Sequence, residues 1–126
     1  MSRTPPRLGK VQLQIMQVLW QHGRATARQI TDALSRSKPI AHSTVQTLLR
    51  KLEAKGAVAH EVEERTFIFR PLYEQSEVAD SVTRDLLTRV FSGSVYGLVA
   101  HLLQHETISG DELIRLRALV NEERKP

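Results

Sequence analysis

The spacing of apolar residues changes twice along this chain, and the two changes restrict the fold more than any single residue does. Up to Gly56 apolar positions recur at helical intervals. From Val58 to Phe69 they alternate, and after Pro71 helical spacing returns. The first helix reads as Gly9–His22, with a stripe of Val11, Ile15, Val18 and Leu19 widened by Met16 and Trp20, and with Gly23 as its stop. Trp20 reads as a core filler rather than a binding aromatic. A second helix starts at Thr26, where Gln29 completes a capping box, and turns Ala27, Ile30, Ala33 and Leu34 inward. Pro39 keeps the segment 35–41 out of a helix interior. A third helix starts at Ser43, with Gln46 in the box position, and ends at Gly56 after Lys55. Val58, His60 and Val62 then alternate with Ala59 and Glu61, and Phe67 and Phe69 with Thr66, Ile68 and Arg70. Glu63, Glu64 and Arg65 form the tip between the two strands.

Helix, helix, helix, hairpin within residues 8–72 is a winged helix-turn-helix, so the chain is expected to be mainly α with a DNA-binding module at its front. Residues 1–7 contain Pro5 and Pro6 and read as a flexible arm. Residues 73–126 read as three helices. The first carries Val78, Val82, Leu86, Leu87, Val90 and Phe91, and Ser92-Gly93-Ser94 breaks it. The second, over 95–104, carries Val95, Leu98, Val99, Leu102 and Leu103. The third is capped by Ser109 and Glu112, stapled by Ile108 on Leu113 and continued by Leu116, Leu119 and Val120, before a frayed end at 121–126. Short helices joined by tight breaks cannot bury so many apolar side chains on themselves. The surplus predicts a homodimer through Val82, Leu86, Val90, Phe91, Val95, Leu98, Val99, Leu102, Leu113, Leu116 and Val120, rather than a monomer folded back on its winged helix.

Charge divides the chain in the same place. Residues 1–72 hold twelve Lys and Arg against five Asp and Glu, whereas residues 73–126 hold six against nine. The front half suits a polyanion and the back half suits protein. On the third helix Ser43, Thr47 and Arg50 lie opposite the stripe of Val45, Leu48, Leu49 and Leu52, with Gln46 and Lys51 at the edges. No acid lies on that face, and hydroxyls, an amide and cations suit base edges and phosphates. A plain solvated face would look similar in composition. The acidic tip at Glu63 and Glu64 would repel phosphate, which keeps a second reading open: a winged helix used for protein contact without specific DNA binding.

Several chemistries have no apparatus here. The chain has no cysteine, which removes disulfides, thiol nucleophiles and cysteine-based metal sites. Phosphate loops, nucleophile elbows and metalloprotease motifs are missing, so no catalytic residue, metal or cofactor is expected, and the chain reads as no enzyme. His101 and His105 stand four apart with Glu106 nearby, a weak metal signal better read as surface or interface histidines. His42, just before the third helix, is placed to touch phosphate. His22 and His60 carry no argument. No stretch has the length of a membrane span and the first ten residues carry no signal-peptide core, so a cytoplasmic location and no membrane partner are expected.

Six segments in order resemble one bacterial family: IMQVLW at 15–20, ATARQITDAL at 25–34, STVQTLLRKLEAKG at 43–56, RTFIFRPL at 65–72, FSGSVYGLVAHLL at 91–103 and ISGDELIRLRALV at 108–120. The family is that of the penicillinase repressors, which includes methicillin-resistance and copper-responsive repressors. The resemblance implies a dimeric repressor on a palindromic operator, reading bases with Ser43, Thr44, Gln46, Thr47 and Arg50. In that role Arg50 suits guanine, Gln46 adenine, and the methyls of Thr44 and Thr47 thymine, with Lys51, Lys10 and Arg65 on phosphates. Two departures stand out. Where β-lactam-responsive members are cut at an Asn–Phe bond, this chain has His101-Leu102, which argues against a regulatory protease of that kind. The cysteine-rich metal site of copper-responsive members has no counterpart.

Overall fold

In the computed structural model, which describes residues 3–123, six helices and a three-stranded sheet follow the spacing of the apolar residues. The order is α1 (Lys10–His22), β1 (Ala25–Thr26), α2 (Ala27–Ser35), α3 (His42–Ala54), β2 (Val58–Glu63), β3 (Thr66–Pro71), α4 (Gln75–Phe91), α5 (Val95–His105) and α6 (Gly110–Glu123). The chain forms two compact units, the first ending at Thr83 and the second beginning at Arg84, so the division falls inside α4. The first unit therefore runs past the boundary expected at Leu72, and it includes the buried Val78. The last residues of the expected frayed end, 124–126, lie outside the described part, as do the first two of the expected arm.

The core of the first unit is built from one stripe of each helix and one face of the sheet. Ile15, Met16 and Leu19 of α1, Ile30 of α2, and Val45, Leu49 and Leu52 of α3 are fully out of solvent, closed off by Val58 and Phe69. Burying each large aliphatic side chain is worth roughly 1.5–3 kcal/mol. Trp20 fills the edge of this core as expected and donates from Nε1 to the Tyr73 carbonyl at 2.8 Å. The sheet order is β1-β3-β2, all antiparallel. β1 was not expected: Ala25 and Thr26 pair with Phe69 and Ile68.

Caps set the helix limits. Gly9 N–H donates to Gln12 Oε1 at 2.8 Å ahead of α1, and Thr26 and Gln29 form the reciprocal box of α2. At the end of α3, Gly56 adopts φ +80°. Its N–H reaches the Glu53 carbonyl, and Ala57 N–H reaches that of Leu52, which is the Schellman pattern that glycine permits without Cβ strain. The start of α3 differs from the expectation. Ala41, not Ser43, is the N-cap, and its carbonyl accepts from Thr44 and Val45 without a side-chain cap. Ser43 is thereby left exposed in the first turn.

Against the expectation of a free arm, Arg3 and Thr4 are held. The Arg3 guanidinium lies 4.3 Å over the Tyr73 ring and donates to Glu77 at 3.2 Å, while Tyr73 Oη donates to the Thr4 carbonyl at 3.3 Å. A guanidinium gains at once here from an aromatic face and a carboxylate. Lys55 Nζ adds a bond to the Arg7 carbonyl at 2.9 Å.

In the second unit Ser94 caps α5 through Gly97 N–H, and Ser109 Oγ accepts from Glu112 N–H before α6. A Cβ on Gly97 would stand 3.1 Å from Ser94 Oγ, so glycine preserves this tight entry to α5. No residue of α5 or α6 is buried. Among the described residues no single helix is long and apolar enough to cross a membrane.

The Glu77 carboxyl is held below its ordinary range, first by the Glu74 N–H and then by Arg3. A depressed native value means that the stabilisation is complete above the unfolded glutamate value of about 4.3 and is lost as pH falls through the lower native value. Glu77→Gln is therefore expected to lower stability at neutral pH and to flatten its fall in acid, as read from urea midpoints between neutrality and pH 3.

Candidate nucleic-acid interface

The burial of α3 decides what it presents. With Val45, Leu49 and Leu52 fully enclosed and Leu48 packed against the same cluster, the other side of the helix faces solvent. Ser43, Thr44, Gln46, Thr47, Arg50 and Lys51 are all exposed on it, and the one acid within α3, Glu53, turns to His60. The expected reading positions are thus brought together on one ridge.

Thr47 has a further task. Its hydroxyl donates to the Ser43 carbonyl at 3.0 Å and accepts from Arg50 Nη2 at 3.3 Å. The Arg50 fork is thereby steadied by its own helix one turn back. His42 differs from the expectation of a free phosphate contact: its Nδ1 lies 3.0 Å from Thr31 Oγ1, and Thr31 donates in turn to the Ala27 carbonyl. With that hydroxyl proton committed to Ala27, the Nδ1–H donates, and His42 ties the start of α3 to α2.

The wing is a two-residue hairpin. Glu63 pairs with Thr66, and Glu64 and Arg65 turn the chain with φ +49° and +67°. Positive φ at both central residues is the turn whose twist suits a hairpin, and it normally calls for Asn or Gly. Arg65 stands exposed at the apex. The acids beside it are partly answered: Arg24 Nη2 meets Glu63 at 2.6 Å, and Arg70 lies 3.7 Å from Glu61. The hydrogen bond to Glu63 raises the Arg24 pKa further. Only Glu64 of the tip acids has no cationic partner among the described residues.

Lys10 lines a cavity that contains no α3 residue. Cations the sequence reading passed over are Arg24 and the exposed Arg28 on α2. Their signal was available as basic residues at the entry of a capped helix. His60 was also passed over; it stacks on Phe67 at 4.0 Å and bonds Glu53 at 2.5 Å, fastening the wing to α3. His101 and His105 stack at 4.2 Å, and the His105 Nδ1–H donates to the His101 carbonyl at 2.9 Å. The described residues contain no group of three or more metal-ligating side chains.

The profile of the family described as penicillinase repressor matches residues 8–122. The chain belongs to the penicillinase repressor family. It is 27% identical over 117 residues to the penicillinase repressor of Bacillus licheniformis, covering 93% of this chain and 91% of that one. Against the transcriptional regulator BlaI of Mycobacterium tuberculosis it is 30% identical over 118 residues, covering 92% and 84%. The solution structure of the Bacillus licheniformis BlaI monomeric form in complex with the blaP half-operator superposes with a TM-score of 0.53 at 29% identity, over 60% of this chain and 93% of that one. The family is one of transcriptional repressors, not of enzymes, and the fold is the mainly α winged helix expected.

Two αL residues without glycine or asparagine make the wing turn costly, at about 1 kcal/mol each. Glu64→Asn is expected to raise thermal stability, by up to about 1 kcal/mol, because asparagine tolerates that conformation. Calorimetry of the full chain checks this.

Proposed function

We propose that this protein is a transcriptional repressor that binds a palindromic operator as a homodimer and blocks transcription by occupying it. The observation that carries the reading is the exposed, acid-poor ridge of α3, clamped from behind by a fully buried stripe. Each subunit lays α3 in the major groove, and the two half-sites lie one helical turn or a multiple apart. Arg50 forks onto guanine O6 and N7, with Thr47 holding it, and Gln46 pairs with adenine. Ser43 and Thr44 reach the neighbouring bases. Lys51 and Arg65 meet phosphates, and Lys10 is a weaker candidate because it sits at a separate cavity. His42 acts by fixing where α3 begins. The likeness to a BlaI form bound to a half-operator supports the DNA partner.

Exposed apolar side chains in the second unit support the homodimer. Val90 and Val95 are 65% and 62% exposed, Leu86, Val99, Leu102, Leu116 and Val120 are open as well, and so is Val82 near the end of the first unit. Phe91, Leu98 and Leu113 are half-covered by their own chain and would form the floor of such an interface. So many open aliphatic side chains rarely stay in water on a soluble monomer.

Arg50→Ala is expected to cost about 1–3 kcal/mol on a selected operator and to relax base choice there. Lys51→Ala is expected to weaken all duplexes alike and to reduce the salt slope by about one unit. Gel shifts on genomic fragments at two salt concentrations read both. Retardation that ignores sequence would instead favour a protein-contact role for the winged helix.

Leu102→Asp in α5 is expected to shift the sedimenting species from dimer to monomer at micromolar concentration. A wild-type chain that sediments as one subunit would remove the dimer from the reading.

A further inference from the structure

A cavity of about 780 Å³ opens in the first unit between α1, the end of α2 and the segment that leads into α3. Its apolar wall is Val11, Trp20, Leu34 and Ile40; the last three pack against the core, and Val11 is half-buried. Its polar wall carries two lysines, Lys10 and Lys38, and the amides of Gln14, Gln17, Gln21 and Gln75. Fourteen acids occur in the chain, yet none lines this space. Neither lysine has a carboxylate partner among the described residues. The combination is directional: an apolar floor for a hydrocarbon or ring, amide donors at the side, and two uncompensated positive charges.

We infer that this cavity is a binding site for a small organic anion, a carboxylate or sulfonate on an apolar or aromatic body. Sites for such molecules usually enclose about 300–1000 Å³ and combine an apolar lining with few polar groups that fix orientation. The anion sits between the Lys10 and Lys38 ammonium groups, which nothing else in the described structure neutralises. The apolar body lies against Trp20 and Ile40. Trp20 is itself held in place through Nε1, so its ring is a fixed surface rather than a flap. Pro39 and Ile40 stand immediately before Ala41, whose carbonyl starts α3, so an occupant touches the segment that positions the exposed ridge.

The site can be read without knowing its natural ligand, because Trp20 is the only tryptophan in the chain. The probe is 1-anilinonaphthalene-8-sulfonate, with N-phenyl-1-naphthylamine as its counterpart lacking the sulfonate. The expected result is saturable quenching of Trp20 emission by the sulfonate probe. Lys38→Gln should weaken that affinity about fivefold, the size of one exposed charge pair. Gln17→Glu, which sets an acid in an exposed position of the same wall, should weaken it at least as much. Neither change should alter quenching by the uncharged probe, which separates loss of the anion contact from loss of the fold. Quenching by both probes that ignores both substitutions would overturn the proposal, as would no saturable quenching at all. So would a Lys38→Gln variant whose probe affinity is unchanged but whose duplex binding has a flatter salt slope, because Lys38 would then be a phosphate contact.

Discussion

Everything on the exposed side of α3 depends on what its other side buries. Val45, Leu49 and Leu52 have no solvent contact, and a helix that has committed one stripe so completely has no rotational freedom left about its own axis. A turn of a few tens of degrees would expose leucine and bury arginine, each at a cost of kilocalories. The ridge of Ser43, Thr44, Gln46, Thr47, Arg50 and Lys51 is therefore held in register by the core rather than by anything on the ridge itself. The Schellman bonds at Gly56 and the His60–Glu53 contact then fix the wing at the far end of that helix, and the His42–Thr31 contact fixes its start. One buried stripe and three polar ties hold the exposed ridge in place, and rigidity of this kind limits the entropy a surface loses when a partner binds.

Much of this was legible in the sequence because helices advertise themselves over many residues. Four or five apolar positions at the right spacing outweigh local noise, and the box at Thr26, the cap at Ser109 and the stop at Gly56 mark ends with particular side chains. The hairpin was legible for the same reason, since two runs of strict alternation flank the charged tip. What escaped notice was short or nonlocal. β1 is two residues long and has no period to detect; its pairing with Phe69 and Ile68 exists only once the hairpin is in place. The start of α3 went to Ala41 because a backbone carbonyl can open a helix unaided, so Ser43 was free to face solvent. Arg3 looked like part of a loose arm because its partners, Tyr73 and Glu77, are distant in sequence. Of the interface itself, residue types and facing were readable, whereas the Thr47 support for Arg50 and the His42 tie required side-chain positions.

The second unit obeys a different rule. Its helices are capped well and packed little: α5 and α6 bury no residue, and their large aliphatic side chains remain open to water. Good caps hold each helix together locally, at about 1 kcal/mol apiece, but they do nothing for a bare apolar face. Such a unit has local order in excess of its own packing. Its side-chain contacts include the stacked His101 and His105, the edge of Phe91 on His101 and the Arg89–Asp85 pair at 2.9 Å. From Arg84 onward the chain carries six Lys and Arg against six Asp and Glu, so this unit lacks the positive balance of the front half.

The acidic wing tip looks at first like an argument against a polyanion partner, and the strand that escaped notice answers much of it. Pairing of Ala25 and Thr26 with β3 brings the preceding residue, Arg24, to Glu63, where the guanidinium meets the carboxylate at 2.6 Å. Both groups are about half exposed, so the pair adds little to stability. Its effect is on the field: it cancels the tip charge closest to the turn on the β2 side, as Arg70 does more loosely for Glu61. What remains at the apex is Glu64 beside Arg65, nearly neutral as a pair of neighbours, with the arginine long enough to reach beyond the carboxylate. A wing of this composition would repel a phosphate chain if it were an isolated hairpin. Attached through β1 to its own arginine, it carries less net negative charge, so the three-stranded sheet delivers that cation on one side while Ala25, Val58 and Phe69 close the core on the other.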